Sequence, residues 1–250
     1  MNRQQRPNKI NGLPALAFWW AVWYLAAVTL NNPLLLPTPL RVLQCLGNLV
    51  VTAAFWQITA VSICRILLGV AGAVLLGTVL AVLTTRIKLL NTLIEPAMTA
   101  IQATPVASFT ILVLIWLERD YVPVLICGMM GLPIVWNSLS SGIRMADPQL
   151  LELAKVYRLP KFHTLRRIWI PSVMPFFRTA CISSLGLGWK AGIAAEVLTV
   201  PKRSIGRMIS ESKLYLLTEE LFAWTLAVIV LSLLLQKIML RLLQGRDGHA

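Results

Sequence analysis

The sequence is short of charge. Asp, Glu, Lys and Arg together make up 13% of its 250 residues, whereas soluble domains typically carry about 25%. The few charges form short islands between long apolar runs, and 57% of the residues are hydrophobic. This pattern excludes a water-soluble domain built around one hydrophobic core and indicates that the bilayer is the main solvent.

Acidic residues are scarcer than basic ones. The chain has 10 Asp and Glu against 23 Lys and Arg, for a formal net charge of +13. In a soluble protein this excess would suggest nucleic acid. Here the basic residues lie in short loops beside apolar runs, which is typical of topology control and of contact with anionic lipid. We therefore predict contact with membrane lipid and no nucleic-acid partner.

Residues and motifs that carry chemistry are also missing. The four cysteines lie in apolar stretches without a CxxC pair and predict small buried side chains. His163 and His249 are too far apart in sequence to suggest a metal site. The chain has no G-x-x-x-x-G-K-[ST] loop, HExxH motif or Ser/His/Asp pattern. We expect no catalytic residues, no metal and no cofactor, and we expect that the chain is not itself an enzyme.

Long apolar runs are what the sequence does contain. A membrane-spanning helix needs about 20 apolar residues, and six runs approach or reach that length. They cover residues 13–30, 66–85, 97–117, 121–141, 176–198 and 221–240. The predicted fold is therefore all-α, a polytopic membrane protein with six transmembrane helices in one domain over residues 1–250.

The segment 42–64 has no charge, and a seventh span is the alternative interpretation of it. Its polar residues and the prolines before it favour an interfacial helix that leads into the second span. Six spans also divide Lys and Arg more unevenly between the two sides of the membrane than seven spans do, with Arg3, Arg6 and Lys9 on the richer side. By the positive-inside rule both termini are predicted to be cytoplasmic. The first run is too long for a signal peptide and predicts an uncleaved span.

The longest cytoplasmic segment of this topology covers residues 142–175. Asp147 and Pro148 predict a helix start, and Pro160 predicts a break followed by a second amphipathic helix. We expect a bent hairpin of two short helices. The pattern leaves two interpretations open, a helix that inserts in a groove of a partner protein and a helix pair that rests on anionic lipid.

Two prolines follow this second helix. Pro171 and Pro175 are expected to end it before the fifth span begins.

The loop resembles that of the inner-membrane permease subunits of binding-protein-dependent ABC importers, of the nitrate, sulfonate and taurine type. That family has an EAA loop with the pattern E-A-A-x-x-x-G and, further on, I-x-L-P. Residues 152–154 (Glu-Leu-Ala) match the first part and residues 168–171 (Ile-Trp-Ile-Pro) the second. Arg158 stands where the family has a turn glycine. Because a left-handed conformation costs other residues about 1 kcal/mol, we expect this turn to be built differently, with Pro160 fixing it.

Other parts of the chain resemble the same family at the usual spacing. They are Ser62, Arg65, Gly69 and Gly77 at the second span, Glu95, Pro96 and Pro105 at the third, Asn137 and Gly142 before the loop, and Gly186, Trp189 and Glu196 in the fifth span.

The resemblance implies a homodimer in a bacterial inner membrane, with an ABC ATPase subunit on the cytoplasmic side and a substrate-binding protein at the outer face. ATP hydrolysis would then belong to the partner, and the solute would be small, an anion, a sulfonate or a cofactor precursor. The residues that would couple to the ATPase are Glu152, Ala154, Lys155, Tyr157, Arg158 and Pro171. The alternative is a secondary transporter or channel without an ATPase, although such proteins often show internal repeats or more intramembrane charge.

Lys190 lies near the middle of the fifth span. A charge at that depth marks a pathway or an ion pair, so Lys190 either attracts an anionic solute or pairs with a carboxylate or carbonyl. Trp189 is the second candidate for the path. Glu196 is predicted at the outer membrane edge, as a solvated residue, a turn cap or a contact with a binding protein. Arg65 is expected to snorkel at the outer interface, and Glu95 to cap the third span.

Small and cyclic residues within the spans predict packing and bends. Gly69, Gly72 and Gly77 predict a closely packed second span. Pro105, Pro123 and Pro133 are expected to kink the spans that contain them.

Overall fold

The computed structural model describes residues 12–244 and contains only helices as regular structure within them. The all-α prediction is confirmed for this part of the chain. The helices are α1 (Gly12–Leu30), α2 (Pro39–Val51), α3 (Ala53–Arg86), α4 (Lys88–Ala103), α5 (Val106–Val113), α6 (Val122–Arg144), α7 (Pro148–Val156), α8 (Lys161–Thr164), a π-helical turn (Leu165–Trp169), α9 (Ile170–Thr199), α10 (Ile205–Leu214) and α11 (Thr218–Gln244).

Four helices of the described chain are long and apolar enough to cross a membrane. They are α3, α6, α11 and the continuous helix Lys161–Thr199, which contains α8, the π-helical turn and α9. The pair α4 and α5 would make a fifth span that is bent by 102°. These lengths support a polytopic membrane protein, and the count of six spans stays a prediction.

The segment 42–64, predicted as one interfacial helix, is divided between two helices. Thr52 has extended backbone between α2 and α3, and its hydroxyl accepts a hydrogen bond from the backbone N–H of Phe55 at 3.3 Å. This bond caps the new helix. Residues 53–64 therefore belong to α3, whose 34 residues make it about 51 Å long. The predicted separate helix is wrong for them, and their interfacial placement stays a prediction.

The third predicted span, 97–117, is not one straight helix. It breaks at Pro105, which has no N–H to donate, and the preceding Thr104 has extended backbone. The predicted bend at this proline is confirmed. Glu95 lies inside α4, not at its start, and accepts a hydrogen bond from Asn91 Nδ2 at 3.1 Å. Its predicted role as a cap is wrong because the helix begins earlier, at Lys88.

The loop helices begin as predicted and end differently. Asp147 Oδ1 accepts a hydrogen bond from the backbone N–H of Gln149 at 2.8 Å, with Pro148 in the first turn of α7. Pro160 precedes α8. Pro171 and Pro175, however, do not separate a second short helix from the fifth span.

The continuous helix passes through both prolines, and the π-helical turn explains how it passes through Pro171. A proline inside a helix clashes with the carbonyl four residues earlier, and that residue for Pro171 is Arg167, within the π-helical turn Leu165–Trp169. The wider π geometry relieves this crowding. The expected helix end at Pro171 and Pro175 is therefore wrong.

The described chain forms two compact units. The first comprises residues 12–56 and 208–227, and it includes Phe55 stacked on Trp224 with ring centroids 5.0 Å apart. The second comprises residues 57–207 and 228–244. Compact units need not be separate domains, so one domain over residues 1–250 stays a prediction.

Close helix packing in the second unit depends on glycines of α3. A Cβ at Gly69 would overlap the carbonyl oxygen of Val124, and one at Gly77 would lie 2.8 Å from the side chain of Val135. Both contacts confirm the predicted packing face. A Cβ at Gly72 would meet open space, so the prediction is wrong there.

Two other predictions concern prolines of α6. Pro133 lies inside this helix as expected, whereas Pro123 lies in its first turn, where proline fits without a kink.

Candidate functional site

The end of α7 is built on a left-handed residue, Arg158, whose φ is 50°. The backbone N–H of Leu159 donates to the carbonyl of Ala154 at 2.9 Å, and that of Arg158 donates to the carbonyl of Lys155 at 3.1 Å. This pair of bonds is a Schellman motif, which usually has glycine at the left-handed position. The expectation that arginine changes the turn is wrong, because arginine adopts the conformation at a cost of about 1 kcal/mol.

Around this turn lies a surface of exposed apolar side chains, which we call the α7 surface. Its members are Leu153, Val156, Tyr157, Leu159 and Phe162, of which Val156 is 78% and Tyr157 70% exposed. Such a concentration of exposed apolar groups marks an interaction site. The sequence pattern singled out Tyr157 and missed Val156, although a valine between Lys155 and Arg158 was an available signal.

Three charged side chains surround the apolar ones. Glu152, Lys155 and Arg158 are exposed, and within residues 12–244 none of them forms a side-chain hydrogen bond or ion pair. They are free to pair with another molecule. Ala154 is only 5% exposed and lies on the buried side of α7. Pro171 is exposed in the first turn of α9.

Lys190 lies on an exposed stripe along α9. The exposed residues recur every three or four positions, so the stripe winds gradually around the helix, and its members from Ser183 to Leu198 share one face. They are Pro171, Pro175, Thr179, Ser183, Leu187, Lys190, Ala194 and Leu198. In the described part of the chain Lys190 has no hydrogen-bond or ion-pair partner, and the choice between attracting a solute and pairing with a carboxylate or carbonyl stays a prediction.

Trp189 lies on a different face of α9, about 100° around the helix from Lys190. It is 2% exposed, and its indole N–H donates to the carbonyl of Val228 at 3.2 Å. Trp189 therefore packs α9 against α11, and its predicted place on the path is corrected. The stripe is polar in its middle, where Ser183 and Lys190 lie, and lipid alone is a costly neighbour for such groups.

Glu196 is completely buried, which contradicts its prediction as a solvated residue. One carboxylate oxygen, Oε2, accepts hydrogen bonds from Ser62 Oγ at 2.8 Å and from the backbone N–H of Gly206 at 3.1 Å. The other, Oε1, lies 3.8 Å from Arg65 Nη1. Of the predicted alternatives, the turn cap is the one that the geometry shows.

Arg65 joins this buried carboxylate to a second acid. Its Nη2 donates to Asp120 Oδ1 at 2.7 Å and to the carbonyl of Lys202 at 2.9 Å, and its side chain is 13% exposed. Asp120 also accepts from the backbone N–H of Lys202 at 3.0 Å. Snorkelling is therefore the wrong explanation for Arg65. We call these residues, with Ser62 and Gly206, the Arg65–Glu196 cluster.

The cluster holds the turn between α9 and α10 in an uncommon shape. Val200 and Arg203 both have a φ of 49°, which is unfavourable for residues other than glycine, above all for a β-branched one. Bonds from three separate segments compensate for this strain. The sequence carried no direct signal for the cluster, because its members are far apart along the chain.

The four cysteines differ in burial. Cys127 and Cys181 are buried, as predicted, Cys45 is half-buried, and Cys64 is exposed on α3. The prediction of a buried side chain is therefore wrong for Cys64.

Taken together, several membrane-length helices, a polar stripe on one of them and an exposed loop surface define a multi-spanning membrane transport component. A family model described as "Binding-protein-dependent transport system inner membrane component" matches residues 73–246. The chain belongs to this family. It is an integral protein of the inner membrane and a permease of an ABC importer, and the alternative of an ATPase-independent secondary transporter or channel is therefore wrong.

Two curated relatives are similar over most of their length. The taurine transport system permease protein TauC of Escherichia coli (strain K12) is 25% identical over 92% of this chain and 84% of its own. The putative aliphatic sulfonates transport permease protein SsuC of Bacillus subtilis (strain 168) is 25% identical over 84% of this chain and 76% of its own. Both names agree with the resemblance to the nitrate, sulfonate and taurine type.

A solved structure shares the fold. It is described as the crystal structure of an amino acid ABC transporter with histidines and is 17% identical. The match has a TM-score of 0.57 and covers 76% of this chain and 90% of the other.

Proposed function

We propose that two copies of this chain line a common path through the inner membrane, that a separate ATPase subunit docks on the α7 surface of each, and that an outer binding protein delivers the solute. ATP hydrolysis then belongs to the partner subunit. Movement of the ATPase is transmitted through α7 and the continuous helix that follows it. The α7 surface is the observation that carries this proposal.

Docking is supported by the combination of apolar and charged groups on α7. A surface that rests on lipid needs an apolar face and basic groups, but it has no use for an exposed carboxylate such as Glu152. A protein groove accommodates Tyr157 and Val156 and pairs Glu152, Lys155 and Arg158 individually. The Schellman motif keeps this surface in one conformation, which lowers the entropic cost of binding.

The proposed topology has six spans and both termini in the cytoplasm. Beyond the four long helices, it uses the broken pair α4 and α5, and α1, whose 19 residues extend about 28 Å and so nearly cross a hydrocarbon core of about 30 Å. The basic residues Arg3, Arg6 and Lys9, on which the orientation partly rests, lie outside the described residues, as does His249.

The proposed solute is a small anion, with a sulfonate as the leading class. An unpaired amine in the middle of a membrane helix attracts negative charge, and Lys190 supplies one on the exposed stripe of α9. In the homodimer this stripe would face the path. The names of the taurine and sulfonate relatives support the same class.

The docking proposal is tested by Tyr157→Ala in the affinity-tagged chain, purified from the membranes of its native host. Truncating an aromatic anchor at an interface centre weakens binding by about 2 kcal/mol or more, so co-purifying ATPase activity should fall at least about tenfold. Tyr215→Ala is the matched control, because Tyr215 is 69% exposed and lies outside the α7 surface. Equal ATPase recovery from both variants would contradict docking and favour the lipid interpretation.

The solute proposal is tested by Lys190→Met in cells or vesicles that take up a radiolabelled alkanesulfonate. Charge focusing in a cleft raises the capture rate about tenfold or more, and we expect uptake to fall by that factor. Lys190→Arg should retain most of the uptake, and Lys237→Met, which removes an exposed lysine of α11, is the control. Normal uptake by Lys190→Met would rule out this role.

A further inference from the structure

A cavity of about 520 Å³ lies in the second unit, among the ends of three long helices. It is bounded by the last two turns of α3, the end of α6, the π-helical turn and the first turns of α9. The walls are mostly aliphatic and aromatic side chains, and no acidic residue lines them. The cavity is separate from the α7 surface and from Lys190.

The helices around the cavity are tied together beside it. Trp136 Nε1 donates to Thr84 Oγ1 at 2.9 Å, joining α6 to α3. Ser138 Oγ donates to the carbonyl of Phe176 at 3.0 Å, joining α6 to α9. A Cβ at Gly142 would lie 2.8 Å from the ring of Phe176. The cavity is therefore a space between fixed helices rather than a gap left by loose packing.

The polar groups of the lining fall into two kinds. Thr78 and Thr85 donate their hydroxyls to carbonyls of their own helix, at 2.6 and 2.7 Å. Within residues 12–244, the guanidinium of Arg86 and the indole N–H of Trp169 have no hydrogen-bond partner. Both groups only donate. The occupant must then have an apolar body and an end that accepts hydrogen bonds and carries negative charge.

The position of the cavity matches the membrane interface. Arg86 is the last residue of α3, and Arg166 and Arg167 lie in the π-helical turn that forms one wall. All three side chains are exposed. Basic residues and tryptophan at the ends of membrane helices are typical of headgroup depth. Leu165 and Ile170, 47% and 45% exposed, border the opening.

We propose that this cavity binds an anionic phospholipid, with one acyl chain inside and the phosphate on Arg86. A small sulfonate has too little apolar surface to fill it, whereas the surrounding bilayer supplies lipid chains at high concentration. The indole N–H of Trp169 donates to an ester or phosphate oxygen of the same lipid. The bound lipid fills the space beneath the π-helical turn and so stabilises the helix that links α7 to the proposed path.

The test uses the purified full chain in nanodiscs of phosphatidylcholine that contain a minor fraction of a lipid with brominated acyl chains. Bromine quenches tryptophan fluorescence on contact, and the difference between the wild type and Trp169→Phe isolates the signal of Trp169. One basic contact favours an anionic lipid about fivefold. Brominated phosphatidylglycerol should therefore quench Trp169 at about one fifth of the mole fraction that brominated phosphatidylcholine needs.

Arg86→Gln tests the contribution of the charge and Val82→Phe that of the cavity volume, with Lys88→Gln as the control. Arg86→Gln should abolish the preference for phosphatidylglycerol, whereas Lys88→Gln should retain it, because Lys88 is an exposed lysine at the same helix junction that does not line the cavity. Val82→Phe places a ring in the cavity and should reduce quenching by both lipids. Native mass spectrometry of the same variants independently counts the phosphatidylglycerol molecules that each one retains.

Several results would overturn the proposal. They are equal quenching by the two lipids in the wild type, a preference that survives Arg86→Gln, and displacement of phosphatidylglycerol by inorganic phosphate or by taurine, which would assign the site to a free anion. None of these measurements involves the ATPase or transport, so their failure would leave the proposed function intact.

Discussion

Two regions of this permease use the same types of residue in opposite ways. In the Arg65–Glu196 cluster, the side chains of Arg65 and Glu196 are withdrawn from solvent and bonded to other side chains and to backbone groups. On the α7 surface, Glu152, Lys155 and Arg158 are exposed and unpaired within the described chain. The difference teaches that charge in a membrane protein indicates a partner, and that burial tells whether this partner lies within the chain or outside it.

The largest effect is expected from Glu196→Ala. It leaves Ser62 and the backbone N–H of Gly206 without their acceptor and removes one partner of buried Arg65, which should lower the free energy of unfolding by about 3 kcal/mol. The free energy of unfolding is measured by denaturation in mixed detergent micelles. Glu152→Ala is the control for the α7 surface and should change stability by no more than about 0.5 kcal/mol. Similar losses of unfolding free energy in both variants would show that the buried and the exposed carboxylate do not differ in their contribution to stability.

A smaller effect is expected from Gly206→Ala. The new Cβ would overlap the Cβ and backbone of Glu196, and the required shift should destabilise the protein by about 1–3 kcal/mol. Gly72→Ala is the matched control, since open space surrounds that position in α3 and alanine favours a helix by up to about 1 kcal/mol. Unchanged stability of Gly206→Ala would show that the cluster is loosely packed.

The smallest effect on stability is expected from Arg158→Gly. Glycine relieves the left-handed conformation, so the end of α7 should gain up to about 1 kcal/mol, seen as slower amide hydrogen exchange at residues 158 and 159. If the ATPase docks on the α7 surface as proposed, its co-purifying activity should still fall, because this surface loses a charge. Arg203→Gly relieves the same strain, at a φ of 49°, outside the α7 surface. If both variants retained the ATPase equally, the guanidinium of Arg158 would have no docking role.

Local chemistry made part of this structure predictable. Asp147 and Pro148 predicted the start of α7 because a cap and its helix are adjacent in sequence. The apolar runs predicted the fourth, fifth and last long helices to within a few residues at most ends. The left-handed turn at Arg158 was missed, because its conformation is set by the two bonds of the Schellman motif and not by the residue's own preference.

Long-range chemistry was not predictable. Arg65 and Glu196 were each predicted to be interfacial residues, because their partners are distant in sequence. Those of Arg65 are Asp120 and Lys202, and Glu196 binds Ser62. Trp189 and Lys190 are neighbours in sequence and were grouped together. The helix turns them about 100° apart, so one is buried against α11 and the other is exposed.

The sequence by itself determined that the chain is a helical membrane protein with a basic amphipathic loop, since length, hydropathy and caps are local properties. Only the tertiary structure decided which charges are internal. It buried Glu196 against Arg65, left the charges of the α7 surface and Lys190 unpaired within the described chain, and formed the open cavity beside Arg86. The physical reason is that burial depends on which helix faces meet, and that pairing joins residues that no local pattern connects.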